Sequence, residues 1–277
     1  MESAIYIVAT PIGNLSDITI RALEVLADVD VIAAEDTRHT RKLLEHHGIK
    51  AKLISYHEHN ESEKAHSIIA DVQNGKSVAL VSDAGTPLIS DPGHTLVGLA
   101  KANNVKVIPV PGPSALIAAL CASGIPCGRF IYEGFLPVKQ KAKDAFLERF
   151  RYEERTVVFY ESPHRIVDTL EAINRLFPQR VMVIARELTK RFETITKGTA
   201  EALLQWSLSD DDQQRGEFVL VLAGADAEDR QVDLAAQENL LQKLLEYLPP
   251  KKAVNIVAEV FSGDKKMLYE RAVALKK

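Results

Sequence analysis

The sequence predicts an α/β protein with two α/β domains, whose sheets are mainly parallel or mixed, followed by a C-terminal helical tail. Short runs rich in Val and Ile recur along the chain and mostly lack polar alternation, which is typical of strands buried on both faces. Helical patterns separate these runs, and such alternation favours a parallel sheet covered by helices on both sides. Beyond residue 224 the apolar runs stop and only helical patterns remain.

Seven apolar runs are predicted strands. They span residues 4–9, 29–34, 77–82, 105–110, 156–160, 181–185 and 217–223. A further strand is expected near Phe130, and segment 192–196 alternates like a half-exposed antiparallel strand.

Helical patterns fill the intervals of the first half and the whole of the tail. They span residues 20–26, 37–47, 60–74, 92–103, 114–123, 234–247, 251–261 and 265–275. Ser16 or Asp17 is expected to cap the first helix, and Gly48 and Gly75 are expected to end the second and third. Pro250 suits the first turn of a tail helix.

The stretch 134–143 combines Gly134, Pro137 and three lysines, which indicates a break in the chain. We place a domain boundary just before it. The predicted domains are residues 1–124, 125–224 and 225–277.

Composition limits the function classes. The 277 residues carry a formal net charge of -4, so any contact with RNA needs a local basic patch. Cys121 and Cys127 lack a neighbouring His or Cys cluster and are expected to be core residues in a reducing compartment. The N-terminal stretch has no basic region or long apolar region, and no segment approaches the roughly 20 apolar residues of a membrane span. We expect a cytoplasmic protein.

Four predicted strands of the first half end in loops rich in Gly, Pro and small polar residues. The loops are residues 10–14, 34–38, 82–87 (continuing to 90–93) and 109–114. Ligands of open α/β sheets bind beyond the carboxyl ends of the strands, so these loops predict a ligand site. The phosphate-binding Gly-Lys-Ser/Thr pattern and the three spaced glycines of dinucleotide sites are both absent. A compact polar cofactor, held by backbone amides and small side chains, fits better.

A set of longer runs carries a family resemblance. In chain order they are ATPIGNLSDIT, AEDTR, YHEHNE, VSDAGTPLISDPG, VPGPSA, YEGFLP, FYESPHR, ARELTK and RGEFVLVLAG, within residues 8–224. With them the chain closely resembles the ribosomal RNA small subunit methyltransferase I family, which lies within the superfamily of tetrapyrrole (corrin and porphyrin) methylases.

The resemblance implies a tetrapyrrole methylase-like fold with S-adenosylmethionine, the methyl donor, held in the cleft between two α/β domains of a homodimer. It also implies 2′-O-methylation of the ribose of a decoding-centre cytidine (cytidine 1402) in 16S rRNA. The partner would be 16S rRNA or the small ribosomal subunit, with no role for DNA or a membrane. By the same resemblance, the donor-binding residues would be Asp83, Ala84, Gly85, Thr86, Leu88, Ile89, Ser114, Ala115, Tyr160, Glu161, Arg186, Glu187, Gly216 and Glu217.

A ribose hydroxyl is a poor acid, so its methylation needs a positioned base or a cationic stabiliser. No metal is needed, because the sulfonium of the donor already activates the methyl group. The catalytic candidates are Glu35, Asp36, Asn14 and Lys190. One of the two adjacent carboxylates is expected to be the base, while the other caps the helix that opens at Thr37.

Substrate contacts are expected at the rim of the cleft and on the tail. The candidates are Pro11, Arg38, His57, His59, Arg165, Lys251 and Lys252. His57 and His59 lie two residues apart, which also permits metal ligation, but a catalytic zinc usually has three protein ligands. We favour contacts of these histidines with phosphate or base edges.

Two other functions remain open. A tetrapyrrole methylase is expected to end its first loop in Gly-Asp, where this chain has Gly13-Asn14. A non-catalytic RNA-binding or ribosome assembly factor would have no donor pocket and would transfer no methyl group.

Overall fold

Two five-stranded sheets and a helical tail make up the computed structural model, which describes residues 1–261 and 263–275, without the side chains of 227–233. The first sheet consists of β1 (Ile5–Val8), β2 (Val31–Ala34), β3 (Leu53–Ser55), β4 (Val78–Val81) and β5 (Val107–Val110). Its order is β3-β2-β4-β1-β5 and every pairing is parallel. The carboxyl ends of these strands therefore lie at one edge.

Helices cover both faces of the first sheet. They are α1 (Ile20–Asp28), α2 (Thr37–His46), α3 (Glu61–Gln73) and α4 (His94–Ala102). Leu26 of α1 and Leu43 of α2 share one core cluster, whereas Ile68 of α3 and Leu96 of α4 share the cluster on the opposite face. Burial on both faces explains why β2 and β4 are wholly apolar.

The second sheet is mixed. It consists of β6 (Phe130–Phe135), β7 (Thr156–Glu161), β8 (Val181–Arg186), β9 (Thr194–Thr199) and β10 (Phe218–Leu222), in the order β6-β7-β10-β8-β9. Only the β6–β7 pairing is parallel. One face packs against α6 (Gln140–Glu148), α7 (Ile166–Leu176) and α8 (Ala200–Leu208).

The other face of the second sheet packs against α5 (Ala115–Ser123). Leu116 and Leu120 of this helix lie in one core cluster with Val158, Val183 and Val219 of the second sheet. A helix encoded in the first half of the chain thus belongs by packing to the second sheet, and it joins the two units.

The tail has a core of its own. It comprises α9 (Ala227–Leu245), α10 (Pro250–Phe261) and α11 (Lys265–Leu275). Leu241, Val257 and Leu268 lie in a separate apolar cluster at the centre of these helices. No helix in the described part of the chain is long and apolar enough to cross a membrane.

The predicted fold class is confirmed, and the seven apolar runs are strands. Several local predictions were wrong. Thr19 caps α1 through its hydroxyl, whereas Ser16 and Asp17 lie in a preceding single 3-10 turn. Both cysteines are exposed rather than core residues. The stretch 134–143, interpreted as a break, is only partly a loop, because it contains the end of β6 and the start of α6. The domain boundaries stay predictions.

Candidate functional site

A cavity of about 370 Å³ lies where the carboxyl edge of the first sheet meets the second sheet. This volume falls within the range of roughly 300–1,000 Å³ that is usual for small-molecule sites. The cavity is lined by Ile12, Glu35, Asp83, Ala84, Gly85, Thr86, Ile89, Ser90, Asp91, Ser114, Ala115, Phe135, Tyr160, Glu161, Ser162, Pro163, Ala185, Leu188, Glu217, Phe218 and Val219.

The loops of the first sheet form one continuous wall of the cavity. Thr10 and Gly85 exchange backbone hydrogen bonds of 2.8 and 3.0 Å, which tie the loop after β1 to the loop after β4. The Thr86 hydroxyl donates to the Pro113 carbonyl at 3.0 Å and joins the loop after β5. Gly85 has a φ of +82°, a left-handed conformation that favours glycine.

Three carboxylates gather on this wall. The Asp83 Oδ1 accepts a hydrogen bond of 2.9 Å from the Asp36 amide, and the Asp83 amide lies 3.5 Å from the Glu35 Oε2. Burial raises the pKa of Glu35, and the negative charge of Asp83 adds to the rise. Burial also raises the pKa of Asp91 to about 6, against a hydrogen bond from Ser82 that lowers it.

The charge of the cavity has one sign. None of the described lining residues is Lys, Arg or His, whereas Glu35, Asp83, Asp91 and Glu217 are acidic, as is Glu161, whose carboxylate is buried away from the cavity. Burial, together with the negative charge of Asp83, raises the pKa of both Glu35 and Asp91. The cavity therefore suits a ligand that carries positive charge.

The structure distinguishes between the two adjacent carboxylates. Asp36 caps α2, because its side chain accepts from the Arg38 amide at 2.8 Å. It also forms an ion pair of 2.7 Å with the Arg38 guanidinium, and these hydrogen bonds lower the pKa of Asp36. Glu35 lines the cavity, whereas Asp36 does not.

Aromatic side chains from the second sheet form the opposite wall. The Tyr160 ring packs edge-on against Phe135 and Tyr132, with centroid distances of 5.8 and 5.1 Å. The Tyr160 hydroxyl accepts a hydrogen bond of 3.2 Å from the Leu116 amide at the start of α5. Rings in this arrangement present an apolar surface on which a flat heterocycle can lie.

A loop of the second unit closes the rim. The Lys190 ammonium lies 2.8 Å from the Glu187 Oε1 and 2.9 Å from the Glu217 Oε2. Partial burial lowers the pKa of Lys190, but the hydrogen bonds to Glu187 and Glu217 raise it by more, so its pKa is raised overall. A Cβ on Gly216 would meet the Glu187 side chain at 2.5 Å, and a Cβ on Gly13 would meet the Lys190 Cγ at 2.5 Å. Two glycines thus allow the close approach of this loop to its neighbours.

Most of the predicted donor-binding residues lie around the cavity. Ten of the fourteen line it, namely Asp83, Ala84, Gly85, Thr86, Ile89, Ser114, Ala115, Tyr160, Glu161 and Glu217. The other four lie elsewhere. Leu88 packs on the core of the first unit, and the Arg186 guanidinium donates to the Arg215 and Phe192 carbonyls. Glu187 and Gly216 lie at the rim.

The predicted catalytic and substrate residues are more scattered. Asn14 caps the 3-10 turn by accepting from the Ser16 amide, and Pro11 is buried within the first loop. The Arg38 side chain is 88% exposed, whereas the Arg165 guanidinium donates to the Leu136 and Pro137 carbonyls.

The remaining substrate candidates lie outside the cavity lining. The His57 and His59 rings lie edge to face at 5.9 Å, and Asn60 contacts the His57 ring. Lys251 and Lys252 are exposed at the start of α10. Among the described residues no group of three or more His, Cys, Asp or Glu side chains is placed to hold a metal ion.

Sequence reasoning missed several lining residues. Ser90 and Asp91 lie in the predicted continuation of the third loop, but neither was named as a ligand-binding residue. Phe135 lies at a β-bulge of β6, and Ile12 and Leu188 are apolar residues within loops. Such positions resemble ordinary core residues in a sequence.

Comparisons with known proteins agree with this geometry. Residues 4–204 match the family model described as Tetrapyrrole (Corrin/Porphyrin) Methylases, and residues 231–276 match the one described as RsmI C-terminal HTH domain. Ribosomal RNA small subunit methyltransferase I of Haemophilus influenzae is 50% identical over 99% of this chain and 98% of its own. The protein of that name from Escherichia coli O157:H7 is 48% identical, over 98% and 95%.

The chain belongs to the ribosomal RNA small subunit methyltransferase I family. Family membership covers the tail as well as the two sheets, because the relatives align over almost their whole length.

Solved structures share the fold of the two sheets at low sequence identity. The methyltransferase CobJ has a TM-score of 0.59 at 18% identity, covering 80% of this chain and 94% of its own. Uroporphyrin-III C-methyltransferase from Thermus thermophilus, solved with S-adenosyl homocysteine, has a TM-score of 0.55 at 18% identity, covering 83% and 99%. At this identity the likeness shows the fold alone.

Proposed function

We propose that the protein transfers a methyl group from S-adenosylmethionine to the ribose 2′-oxygen of a decoding-centre cytidine in 16S rRNA. The observation that carries the proposal is the acidic cavity in a chain of this family. The names of the relatives support RNA of the small ribosomal subunit as the acceptor.

The cavity fits the donor in charge and in shape. S-adenosylmethionine supplies a methyl group on a sulfonium, and it also carries an ammonium and one carboxylate, so its net charge is positive. Two unit charges of opposite sign that lie 4 Å apart attract each other by about 4 kcal/mol at an effective dielectric constant of 20. Asp83 and Asp91 can provide this attraction, while Tyr160 and Phe135 provide an apolar wall for the adenine ring.

Glu35 is the proposed proton acceptor. It lines the cavity, and its raised pKa makes it a better base than an ordinary surface carboxylate. Asp36 is less suited, because the Arg38 guanidinium holds its pKa low and its oxygens are occupied in the helix cap. In this proposal Lys190 stays a cation at the rim, where it faces the incoming acceptor.

The RNA is proposed to contact exposed cations near the cavity and on the tail. Arg38 follows Glu35 closely in the chain and is almost fully exposed, so a phosphate can reach its guanidinium. Lys251 and Lys252 extend the basic surface onto α10. The acidic balance of the whole chain makes these local cations the expected sites of phosphate contact.

We also propose that the protein works as a homodimer in the cytoplasm. Helix α5 contains no charged residue, and it exposes Ile117 and Cys121 on the side away from the second sheet. Exposed apolar helix faces favour protein–protein contact. Light scattering should give the mass of two chains for the wild-type protein and the mass of one chain for Ile117→Glu.

A tetrapyrrole acceptor is the second candidate, because the first family model and the solved structures come from enzymes of that kind. Against it stand Gly13-Asn14 at the end of the first loop and the near-complete alignment with the ribosomal RNA relatives.

The test uses radiolabelled S-adenosylmethionine with two acceptors, small ribosomal subunits that lack the modification and a uroporphyrinogen. We expect label in RNA only. Replacement of Asp83 and Gly85 together should abolish donor binding measured by calorimetry. Donor affinity equal to wild type in that variant would contradict the assignment of the cavity.

A further inference from the structure

A buried polar cluster lies behind the aromatic wall, on the face of the second sheet that packs against α6 and α7. Lys143 of α6, Glu161 at the end of β7 and Thr169 of α7 are 1%, 3% and 0% exposed. The Glu161 side chain itself is 0% exposed, so its carboxylate does not face the cavity.

The side chains form a connected network. The Thr169 hydroxyl donates to the Glu161 Oε2 at 2.7 Å and accepts from the Lys143 ammonium at 3.1 Å. The other carboxylate oxygen accepts from the Ser162 amide at 2.9 Å and lies 3.3 Å from the Arg165 Nε. We call Lys143, Glu161, Thr169 and Arg165 the back-wall network.

The network is joined to the cavity at two places. Glu161 lies between Tyr160 and Ser162, which both line the cavity. Arg165 donates to the carbonyls of Leu136 and Pro137, which directly follow the lining residue Phe135. One buried carboxylate therefore connects the loops that directly follow β6 and β7, the two strands that carry the aromatic wall.

Stability alone does not account for such a cluster. A buried ion pair adds little to the stability of a folded protein compared with apolar side chains of similar volume, and its replacement by such side chains is often neutral or stabilising. Burial lowers the pKa of Lys143, which reflects the cost of holding its charge there. What the charges add is a defined geometry for the loops that they connect.

We infer that the back-wall network is a positioning device, in which Glu161 and Lys143 hold the aromatic wall at the spacing that the methyl donor requires. The inference rests on the proposed function of the cavity. It assigns Glu161 an indirect role, through the loops, rather than contact with the donor.

The test compares calorimetric affinity for S-adenosylmethionine, the KM for this donor, kcat and the melting temperature in matched variants. Lys143→Met removes a buried cation, whereas Lys141→Met removes an exposed one from the same helix and serves as the control. We expect Glu161→Gln and Lys143→Met to weaken donor binding at least tenfold, raising KM with a change in kcat below threefold. Lys141→Met should match wild type.

The double variant Lys143→Met/Glu161→Met separates positioning from stability. It should restore the melting temperature to within a few degrees of wild type while donor affinity stays at least tenfold reduced. Recovery of both properties, or wild-type affinity in Glu161→Gln, would overturn the inference. Failure of the wild-type protein to bind the donor would instead overturn the proposed function of the cavity.

Discussion

Gly13→Ala tests the close contact between the two units at the rim of the cavity. An alanine Cβ would lie 2.5 Å from the Lys190 Cγ and 3.0 Å from the Leu188 carbonyl oxygen. The carbonyl belongs to the backbone and cannot move aside alone, so the loop 187–190 must shift. Forcing extra carbon into a filled site typically costs about 1–3 kcal/mol.

Much of this cost should appear as a loss of affinity for the donor. Ile12 precedes Gly13 and Leu188 lies in the opposing loop, and both line the cavity. The free protein can relieve the clash by opening the cleft, whereas the bound state needs the cleft closed. Since about 1.4 kcal/mol corresponds to a tenfold change in affinity, we expect a loss between roughly fivefold and a hundredfold.

Gly98→Ala is the matched control. Gly98 lies within α4 with nothing within 4 Å of its would-be Cβ. Alanine there should stabilise the protein by about 0.5–1 kcal/mol and leave donor affinity unchanged. Urea unfolding and calorimetry measure both properties. Wild-type stability and affinity in Gly13→Ala would refute the close-contact argument.

Four further predictions concern the carboxylates and the tail. Protonation of Asp91, with its pKa near 6, should weaken binding of the cationic donor as pH falls from 8 to 5 in calorimetry. Because the pKa of Asp91 is higher in the folded than in the unfolded protein, Asp91 contributes stability below pH 4 that is lost as pH rises through 6. Asp91→Asn should therefore stabilise the free protein at pH 7 by about 1 kcal/mol. Glu35→Gln should lower the single-turnover rate by roughly 10²–10⁴ while donor affinity falls less than tenfold; an unchanged rate would exclude this base. Deletion of residues 226–277 should weaken filter binding of small subunits more than donor binding, and unchanged affinity for the subunit would count against an RNA role for the tail.

The first sheet was largely predictable because its strands are buried on both faces. Such strands form uninterrupted Val and Ile runs, and parallel pairing fixes which ends of the strands meet. β3 escaped prediction because it has only three residues, all half-buried at the sheet edge. Its sequence therefore lacks the pattern on which the other strands depend.

The loops of the site were predictable, but the roles of individual side chains within them were not. Glu35 and Asp36 are adjacent carboxylates, and the difference in their pKa arises from Arg38 on one side and burial near Asp83 on the other. Asp91 differs from an ordinary turn residue through its burial in the cavity lining near Glu35 and Asp83, which is tertiary information.

Basic residues of the second unit show the same limit. Lys143 lies in a Lys-rich run that resembles a solvated face, yet it is buried because Thr169 and Glu161 meet it from elements distant in the chain. Arg165 and Arg186 were expected near ligands, whereas both donate to main-chain carbonyls. Long-range hydrogen-bond partners cannot be inferred from local spacing.

Mass mapping of 16S rRNA methylation in a strain that lacks the gene tests the central claim most directly. We predict that one decoding-centre cytidine loses its ribose methyl group. The wild-type gene should restore the group, and a gene with both Asp83 and Gly85 replaced should not. An unchanged methylation map in the deletion strain, or full restoration by the altered gene, would contradict the account.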